Sequence, residues 1–233
     1  MIDPTATVQD VVVEHPQTLA VFEKHGIDYC CGGGKGLTNA AQEQGVDVDS
    51  LVAELAAVIA SPTDPDAELQ PDWSVASLSD LMDYIVSKHH VFVKQQLPRL
   101  EGMMSAVVVA HGAAHGDTLR PLQDKFGALK ADIDEHLRKE EGDLFPAIRQ
   151  LGSGDQGNLD ARLAETQQEH EIVGSVLHAM RELTAGYAVP ADACPTYTGL
   201  YRGLAAVERD LHRHIHLENN ILFPRAAALS TSA

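Results

Sequence analysis

The sequence predicts an all-α protein in which an up-down-up-down bundle of four long helices follows a small N-terminal helical domain. Long stretches repeat apolar residues at helical spacing, and short breakers rich in Gly or Pro separate them. The segment SPTDPDAELQPDW carries three prolines and four acidic residues, and it divides short helices before it from long ones after it. Hydrophobic residues make up 44% of the 233 residues, which is enough for a globular core.

Residues 1–60 are predicted to form the small domain. TVQDVVVEHP is typical of an N-capped helix that ends before Pro16, and PQTLAVFEKHG of a second helix that ends at Gly26. After a stretch rich in cysteine and glycine, LTNAAQEQG and DVDSLVAELAAVIA predict two more helices. Asp49 or Ser50 is available as the N-cap of the last one.

Residues 61–75 are predicted to be a linker, and residues 76–233 to form the four-helix bundle. The first long helix begins at a capping box made by Ser77 and Asp80. The breakers HGAAHGD, GSGD and VPADACP then separate four helices. We expect the later three helices over residues 117–150, 158–187 and 196–228.

Two stretches of the predicted bundle share one pattern, in which Glu follows His by four residues and Leu-Phe-Pro comes after. HLRKEEGDLFP begins at His136, and HIHLENNILFP begins at His214. Four residues turn a helix by about 400°, so each Glu lies roughly 40° from its His and one turn along the axis. Each His and its partner, Glu140 or Glu218, are therefore expected to point to the same side of the helix.

Four histidines are predicted to lie at one height of the bundle. Two residues of an antiparallel hairpin are level when the midpoint between them falls in the turn. The midpoints of the three consecutive pairs fall inside HGAAHGD, GSGD and VPADACP. Each helix therefore contributes one histidine to the layer, and these are His90, His136, His170 and His214.

Four imidazoles and the carboxylates of Glu140 and Glu218 indicate a site for two metal ions. Nitrogen with carboxylate oxygen suits iron, manganese or zinc better than calcium or magnesium. Carboxylates can bridge two ions whereas neutral imidazoles bind one, so the two Glu residues are predicted as bridges. The alternative is that each His is an ordinary surface or core residue. The shared height and the two His-Glu repeats favour the metal site.

Other histidines are expected to lie outside this layer, and His111 is left open. His212 and His216 are turned about 160° from His214, so we expect them to face solvent or a neighbouring element. In a straight helix His111 would lie about 31 Å from His90. A kink at Pro98 could bring it closer to the layer.

These motifs, together with IDYCCGGG beginning at Ile27, resemble the bacterial iron–sulfur cluster repair di-iron proteins. Members of that family join a small domain with a DYCCGG motif to a hemerythrin-like bundle and act against nitrosative and oxidative stress. The resemblance implies an oxo-bridged pair of non-haem iron ions. It places the iron ligands at His90, His136, Glu140, His170, His214 and Glu218. Oxygen-carrying hemerythrins have another His one turn after the third-helix His, where this chain has Gly174.

Cys30 and Cys31 are predicted to carry part of the chemistry. Adjacent cysteines rarely pair, because the ring that would close is strained. Flanking glycines leave the thiols accessible, and a helix beginning near Leu37 could lower a thiol pKa. We therefore interpret the pair as redox or metal-transfer thiols that act with the iron site. The alternative is a turn with two inert thiols. Cys194 has no predicted role.

The leading functional hypothesis is repair, in which the iron pair and the two thiols supply iron to damaged iron–sulfur proteins. The alternatives are a nitric oxide reductase, a sensor that binds oxygen or nitric oxide without turnover, and a structural zinc site. A formal net charge of −17 without a Lys/Arg run argues against nucleic acid as a partner. With no apolar run of membrane-spanning length and no signal pattern, we expect a cytoplasmic protein, reasonably a homodimer.

Overall fold

The computed structural model describes residues 2–61, 71–151 and 158–230. The predicted GSGD breaker and most of the predicted linker lie outside the described residues. Within the described ranges the secondary structure is helical apart from turns and one isolated β-bridge between Thr7 and Gly36. No helix in these ranges is both long enough and apolar enough to cross a membrane. The predicted all-α class is confirmed.

Four short helices form the N-terminal part of the structure: α1 (Val8–Glu14), α2 (Leu19–His25), α3 (Leu37–Glu43) and α4 (Val48–Ala60). One apolar face of each helix points inward, and Val12, Phe22, Leu37 and Leu51 are completely buried. Each such side chain contributes about 1.5–3 kcal/mol relative to its exposed state.

The ends of these short helices follow from local backbone geometry. Gly26, with φ of 65°, ends α2 as predicted, because glycine adopts the left-handed region without steric cost. The N-cap of α4 is Asp47, and the prediction of Asp49 or Ser50 is wrong. Asp47 is the last residue with an extended backbone, and its carboxylate accepts the N–H of Ser50 at 2.9 Å.

The bundle begins at the predicted cap, where the N–H of Asp80 donates to the Ser77 hydroxyl oxygen at 3.0 Å. Its helices are interrupted by wide π-helical turns. In chain order the elements are α5 (Leu78–Tyr84), the π-turn Ile85–His90, α6 (Val91–Lys139), the π-turn Glu140–Leu144, α7 (Phe145–Arg149), α8 (Leu159–Leu183), α9 (Pro195–Leu217), the π-turn Glu218–Leu222 and α10 (Phe223–Ser230).

Helix α6 contains the corner between the first and second helices of the bundle. His90 and Glu141 are 51 positions apart, yet Nδ1 of His90 lies 2.7 Å from Oε1 of Glu141. A straight helix would separate them by about 77 Å, so the chain reverses between them. The bend is at His115, the residue of α6 with a non-helical backbone (φ −121°, ψ 18°). The bend lies inside the predicted breaker HGAAHGD, and the backbone at Pro98 is helical.

The repeated Leu-Phe-Pro accounts for two of the π-turns. A proline inside a helix lacks the N–H for the usual bond, and its ring presses on the carbonyl four residues earlier. For Pro146 and Pro224 that carbonyl lies inside the π-turn that begins at Glu140 or Glu218. The wider turn relieves the clash. It also places each Glu where the helix departs from α geometry, a feature frequent at functional sites.

A polar layer divides the core of the bundle into two apolar parts. The larger part joins the interior of the bundle to the small domain and includes Leu97, Leu122, Phe126, Leu177 and Tyr201. The smaller part lies at the other end and includes Leu81, Ile85, Leu144, Phe145 and Leu222. Between them are buried His and Glu side chains contributed by all four long helices.

Candidate metal centre

The six side chains predicted as ligands come together in the polar layer, and each is at most 6% exposed. Their candidate ligand atoms form two groups, and within each group the atoms lie within 4.8 Å of one another. One group consists of His90, Glu140, His214 and Glu218, and the other of His136, Glu140, His170 and Glu218. Both carboxylates therefore belong to both groups, whereas each imidazole belongs to one.

Each carboxylate divides its two oxygens between the groups. Oε1 of Glu140 lies 3.1 Å from Nε2 of His136, and Oε2 lies 3.5 Å from Nε2 of His90. Oε1 of Glu218 lies 3.1 Å from Nε2 of His214, and Oε2 lies 3.2 Å from Nε2 of His170. This is the arrangement of a carboxylate that bridges two ions.

The side chains of the layer fit bound cations. All four oxygens of Glu140 and Glu218 are buried and have no hydrogen-bond partner among the described residues. The nearest polar groups to these oxygens are the four imidazoles, and a cation held between oxygen and nitrogen would offset the cost of burying two carboxylates. The Nε2 atoms of His90 and His214 are 3.2 Å apart, and those of His136 and His170 are 3.1 Å apart, so they point into the same space. The donor set suits iron, manganese or zinc.

Charge coupling in the layer keeps the carboxylate of Glu218 ionised. Burial opposes ionisation of Glu218, but His214 and His170 outweigh it and hold the pKa of this carboxyl well below its usual range. Burial also opposes protonation of His136, yet Glu140 and Glu218 raise its pKa to about 10. For His90, burial and then His214 lower the pKa of the imidazole. Within one layer the pKa values of two imidazoles are thus shifted in opposite directions, down for His90 and up for His136.

Three of the four imidazoles are oriented by a second hydrogen bond. The Nδ1–H groups donate to outer partners in the pairs His90–Glu141 (2.7 Å), His136–Glu169 (2.7 Å) and His170–Asn219 (2.9 Å). Lys94 also binds Glu141, and Lys139 binds Glu169, each at 2.6 Å. Outer partners of this kind fix the tautomer that presents Nε2 to a metal. Sequence reasoning missed them, although Glu141 and Asn219 each directly follow a predicted ligand.

His214 is the exception, because its Nδ1 has no hydrogen-bond partner in the described part of the chain. The two groups of ligands are related by an approximate symmetry of the bundle. In one group the outer partner of His136 is Glu169, the residue before His170. The corresponding residue in the other group is His89, the residue before His90. His89 instead stacks on His214 at 5.7 Å and bonds Asp210 through its own Nδ1 at 3.0 Å. The two groups of ligands thus have the same inner set and different outer supports.

The remaining predicted histidines lie outside the layer. His111 is not part of either group, because it lies beside His115 and Asp192. His212 and His216 face the small domain, where the ring of Tyr29 contacts both at 6.2 and 5.8 Å. Burial lowers the pKa of His216 to about 4, so its imidazole is neutral in this contact.

The small domain packs against the bundle of its own chain through its Cys-Cys loop. Asn219 donates to the carbonyl oxygen of Cys30 at 3.2 Å, and its own side-chain oxygen accepts from His170. One amide therefore joins the loop to the polar layer. The Cys31 thiol donates to the carbonyl oxygen of His170 at 3.5 Å. Arg213 and Glu23 add a paired contact at 2.8 and 3.1 Å.

Asp28 shapes the loop that carries the thiols. Its carboxylate accepts the backbone N–H groups of Cys30, Cys31 and Gly32 at 2.8 to 3.0 Å. A Cβ at Gly33 would lie 2.7 Å from the carbonyl oxygen of Tyr29, so only glycine fits there. The chain therefore presents two adjacent cysteines in one defined turn.

Cys30 and Cys31 are free thiols whose sulfurs are 3.8 Å apart. The prediction that a helix beginning at Leu37 lowers a thiol pKa is wrong for Cys30. Helix α3 does begin at Leu37, but Cys31, burial and the Asp28 carboxylate raise the pKa of Cys30 well above its usual range. Cys30 is buried and Cys31 is partly exposed, so the two thiols differ in access.

Comparison with known proteins agrees with this architecture. Residues 81–226 match the hemerythrin HHE cation binding domain, and residues 4–59 match ScdA_N, a domain of unknown function (DUF542). The fold and the buried His and Glu clusters thus define a hemerythrin-like metal-binding protein.

The curated relatives extend over nearly the whole chain. The chain is 36% identical over 220 residues to the iron-sulfur cluster repair protein YtfE of Enterobacter sp. (strain 638), covering 94% of this chain and 95% of the relative. It is 31% identical over 229 residues to ScdA of Staphylococcus epidermidis, also named an iron-sulfur cluster repair protein, covering 97% and 100%. The chain belongs to the family of iron–sulfur cluster repair proteins.

Proposed function

We propose that the polar layer holds two non-haem iron ions and that the protein uses them, with Cys30 and Cys31, to repair damaged iron–sulfur clusters in other proteins. The observation that carries this proposal is the division of both carboxylates between two groups of imidazoles. The position of the thiols beside His170 supports it. The names of the relatives favour repair over nitric oxide reduction or sensing.

The residues of the layer have distinct parts in this proposal. His90 and His214 would hold one iron ion, His136 and His170 would hold the other, and Glu140 and Glu218 would contribute oxygens to both. When bound, the iron pair would supply reversible electron transfer and an iron ion that a damaged cluster can accept. Burial of all six side chains keeps bulk water from the carboxylates, and the outer hydrogen bonds hold the imidazoles in the ligating tautomer.

The route for iron is proposed to pass the Cys-Cys loop. Gly174 leaves the third long helix without a side chain one turn beyond His170, and the Cys31 sulfur lies 3.6 Å from the position that a Cβ would take there. A thiol is therefore the side chain nearest to a place where oxygen-carrying hemerythrins have another ligand. Cys31, the more exposed thiol, accepts iron first in this proposal, and Cys30 lies next to it.

The proposal is tested by iron content and by transfer. Anaerobically purified protein should contain about two iron ions per chain. It should restore activity to a [4Fe–4S] hydro-lyase that nitric oxide has inactivated. Cys30→Ser with Cys31→Ser should keep the iron and lose the restoration. Lys35→Gln is the matched control, because this exposed residue belongs to the same loop and its side chain pairs with Glu43 on the surface.

Two results would contradict the proposal. Zinc that stays in the layer and is not replaced during reconstitution with ferrous ions would mean that the layer is a structural site. Full restoration by the double cysteine variant would remove the thiols from the pathway.

The proposal has further parts: nitric oxide or oxygen as ligands of the iron pair, a homodimer in the cytoplasm, and a linker over residues 61–75. Anaerobic nitric oxide titration, sedimentation, cell fractionation and limited proteolysis test these parts.

A further inference from the structure

A second cluster of metal-binding side chains lies at the corner of the bundle, away from the polar layer. The candidate ligand atoms of His111, His115 and Asp192 lie within 4.8 Å of one another. Nε2 of His115 lies 3.0 Å from both oxygens of Asp192. His111 is about 31 Å from His90 along the helix, so this cluster is independent of the proposed iron pair.

The cluster is built from elements that the fold holds in place. His111 and His115 are four residues apart and therefore occupy one face of α6. The ring of Tyr197 packs against them at 5.2 and 5.9 Å, and its hydroxyl is 3.2 Å from that of Tyr201 in the core. The bend at His115 ends the first long helix beside the loop that carries Asp192.

The loop that carries Asp192 also carries a free cysteine. Cys194 follows Asp192 by two residues and is the N-cap residue of α9. Its thiol is partly exposed and two residues from Asp192, so it can reach an ion bound by the other three side chains. An ordinary surface ion pair between His115 and Asp192 would not account for the second imidazole, that of His111.

We propose that His111, His115 and Asp192 form a binding site for a divalent transition metal of the zinc class and that Cys194 completes it as the fourth ligand. Two imidazole nitrogens, one carboxylate oxygen and one thiolate sulfur make the four-ligand set that Zn²⁺ favours in tetrahedral sites. The two His at positions i and i+4 of a helix are a frequent zinc-binding pair. His111, His115 and Cys194 are partly exposed and Asp192 is exposed, so the ion exchanges with solvent.

Zinc binding to the untagged, iron-loaded full-length protein tests the site. After equilibrium dialysis against zinc chloride and elemental analysis, we expect one zinc ion per chain in addition to unchanged iron. His111→Ala and His115→Ala should each weaken zinc binding by at least about tenfold and leave the iron content unchanged. His178→Ala is the matched control, because His178 is a 70% exposed histidine paired with Glu182 and should bind zinc as the wild type does.

Cobalt tests the thiol. Cobalt(II) in the same site should give a thiolate-to-metal charge-transfer band in the near ultraviolet, and Cys194→Ser should abolish it. Absence of the band in the wild type would overturn the assignment of Cys194. Equal zinc binding by wild type and His111→Ala, or zinc that replaces iron instead of adding to it, would overturn the site itself.

Discussion

The sulfur of Cys31 lies 3.5 Å from the carbonyl oxygen of His170, a residue of the buried polar layer. The two residues are 139 positions apart, and they meet beside Gly174, where α8 leaves room for the loop. The loop of the small domain therefore rests on the helix that carries a candidate ligand. A change at this contact should act on iron transfer without removing any ligand.

Side-chain size at Gly174 is expected to control transfer. A Cβ there would be 3.6 Å from the Cys31 sulfur, an ordinary contact, so Gly174→Ala should leave transfer unchanged and stabilise α8 by about 1 kcal/mol. Gly174→Leu should push the loop away and slow iron transfer at normal iron content. Stopped-flow transfer assays and calorimetry measure both variants. Equal transfer rates for Ala and Leu would show that this contact has no part in the pathway.

Removal of the metal is expected to destabilise the bundle. Glu140 and Glu218 are completely or nearly completely buried, and their oxygens have no hydrogen-bond partner among the described residues. A ligand that binds only the folded state adds about 4 kcal/mol to the free energy of unfolding when its concentration is a thousandfold above its Kd. Calorimetry before and after anaerobic chelation should therefore show a clear fall in Tm, and ferrous iron should restore it. An unchanged Tm would argue against a cation between these carboxylates.

The outer partner of His90 is expected to support metal affinity. Glu141 accepts from Nδ1 of His90 at 2.7 Å, and outer hydrogen bonds of this kind contribute about 10- to 100-fold to affinity. Glu141→Gln should therefore release iron to a chelator faster. Glu135→Gln serves as the control, because Glu135 is exposed and pairs with Arg138 instead of an imidazole. Iron release followed by absorbance decides the point, and identical rates for both variants would contradict it.

The Cys-Cys loop is expected to depend on Asp28. Three backbone N–H groups donate to its carboxylate, so Asp28→Ala leaves them without this partner and should destabilise the loop by about 2 kcal/mol. Asp28→Asn keeps an oxygen for two of the three bonds and should be intermediate. Asp49→Ala, at an exposed acid of α4, is the control. Hydrogen exchange of the Cys30 and Cys31 amides measures the effect, and unaltered exchange in Asp28→Ala would refute it.

The sequence by itself determined the all-α class, the cap at Ser77, and the common height of the four His of the layer. These features depend on helical rise and rotation per residue, which are nearly constant, so positions in the sequence convert directly into heights along a bundle. The two Glu residues followed from the same geometry, because each lies four residues after a His on its own helix.

Only the tertiary structure decided the outer hydrogen bonds of the layer, the position of the small domain and the side chains that surround His111. Glu169 meets His136, and Asp192 meets His115, across helices whose rotation about their own axes is set by packing of whole apolar faces. Local patterns contain no term for that rotation. The bend itself lies at His115, inside the breaker HGAAHGD that the sequence predicts, and the fold adds the pairing of Lys130 with Glu101 across the corner.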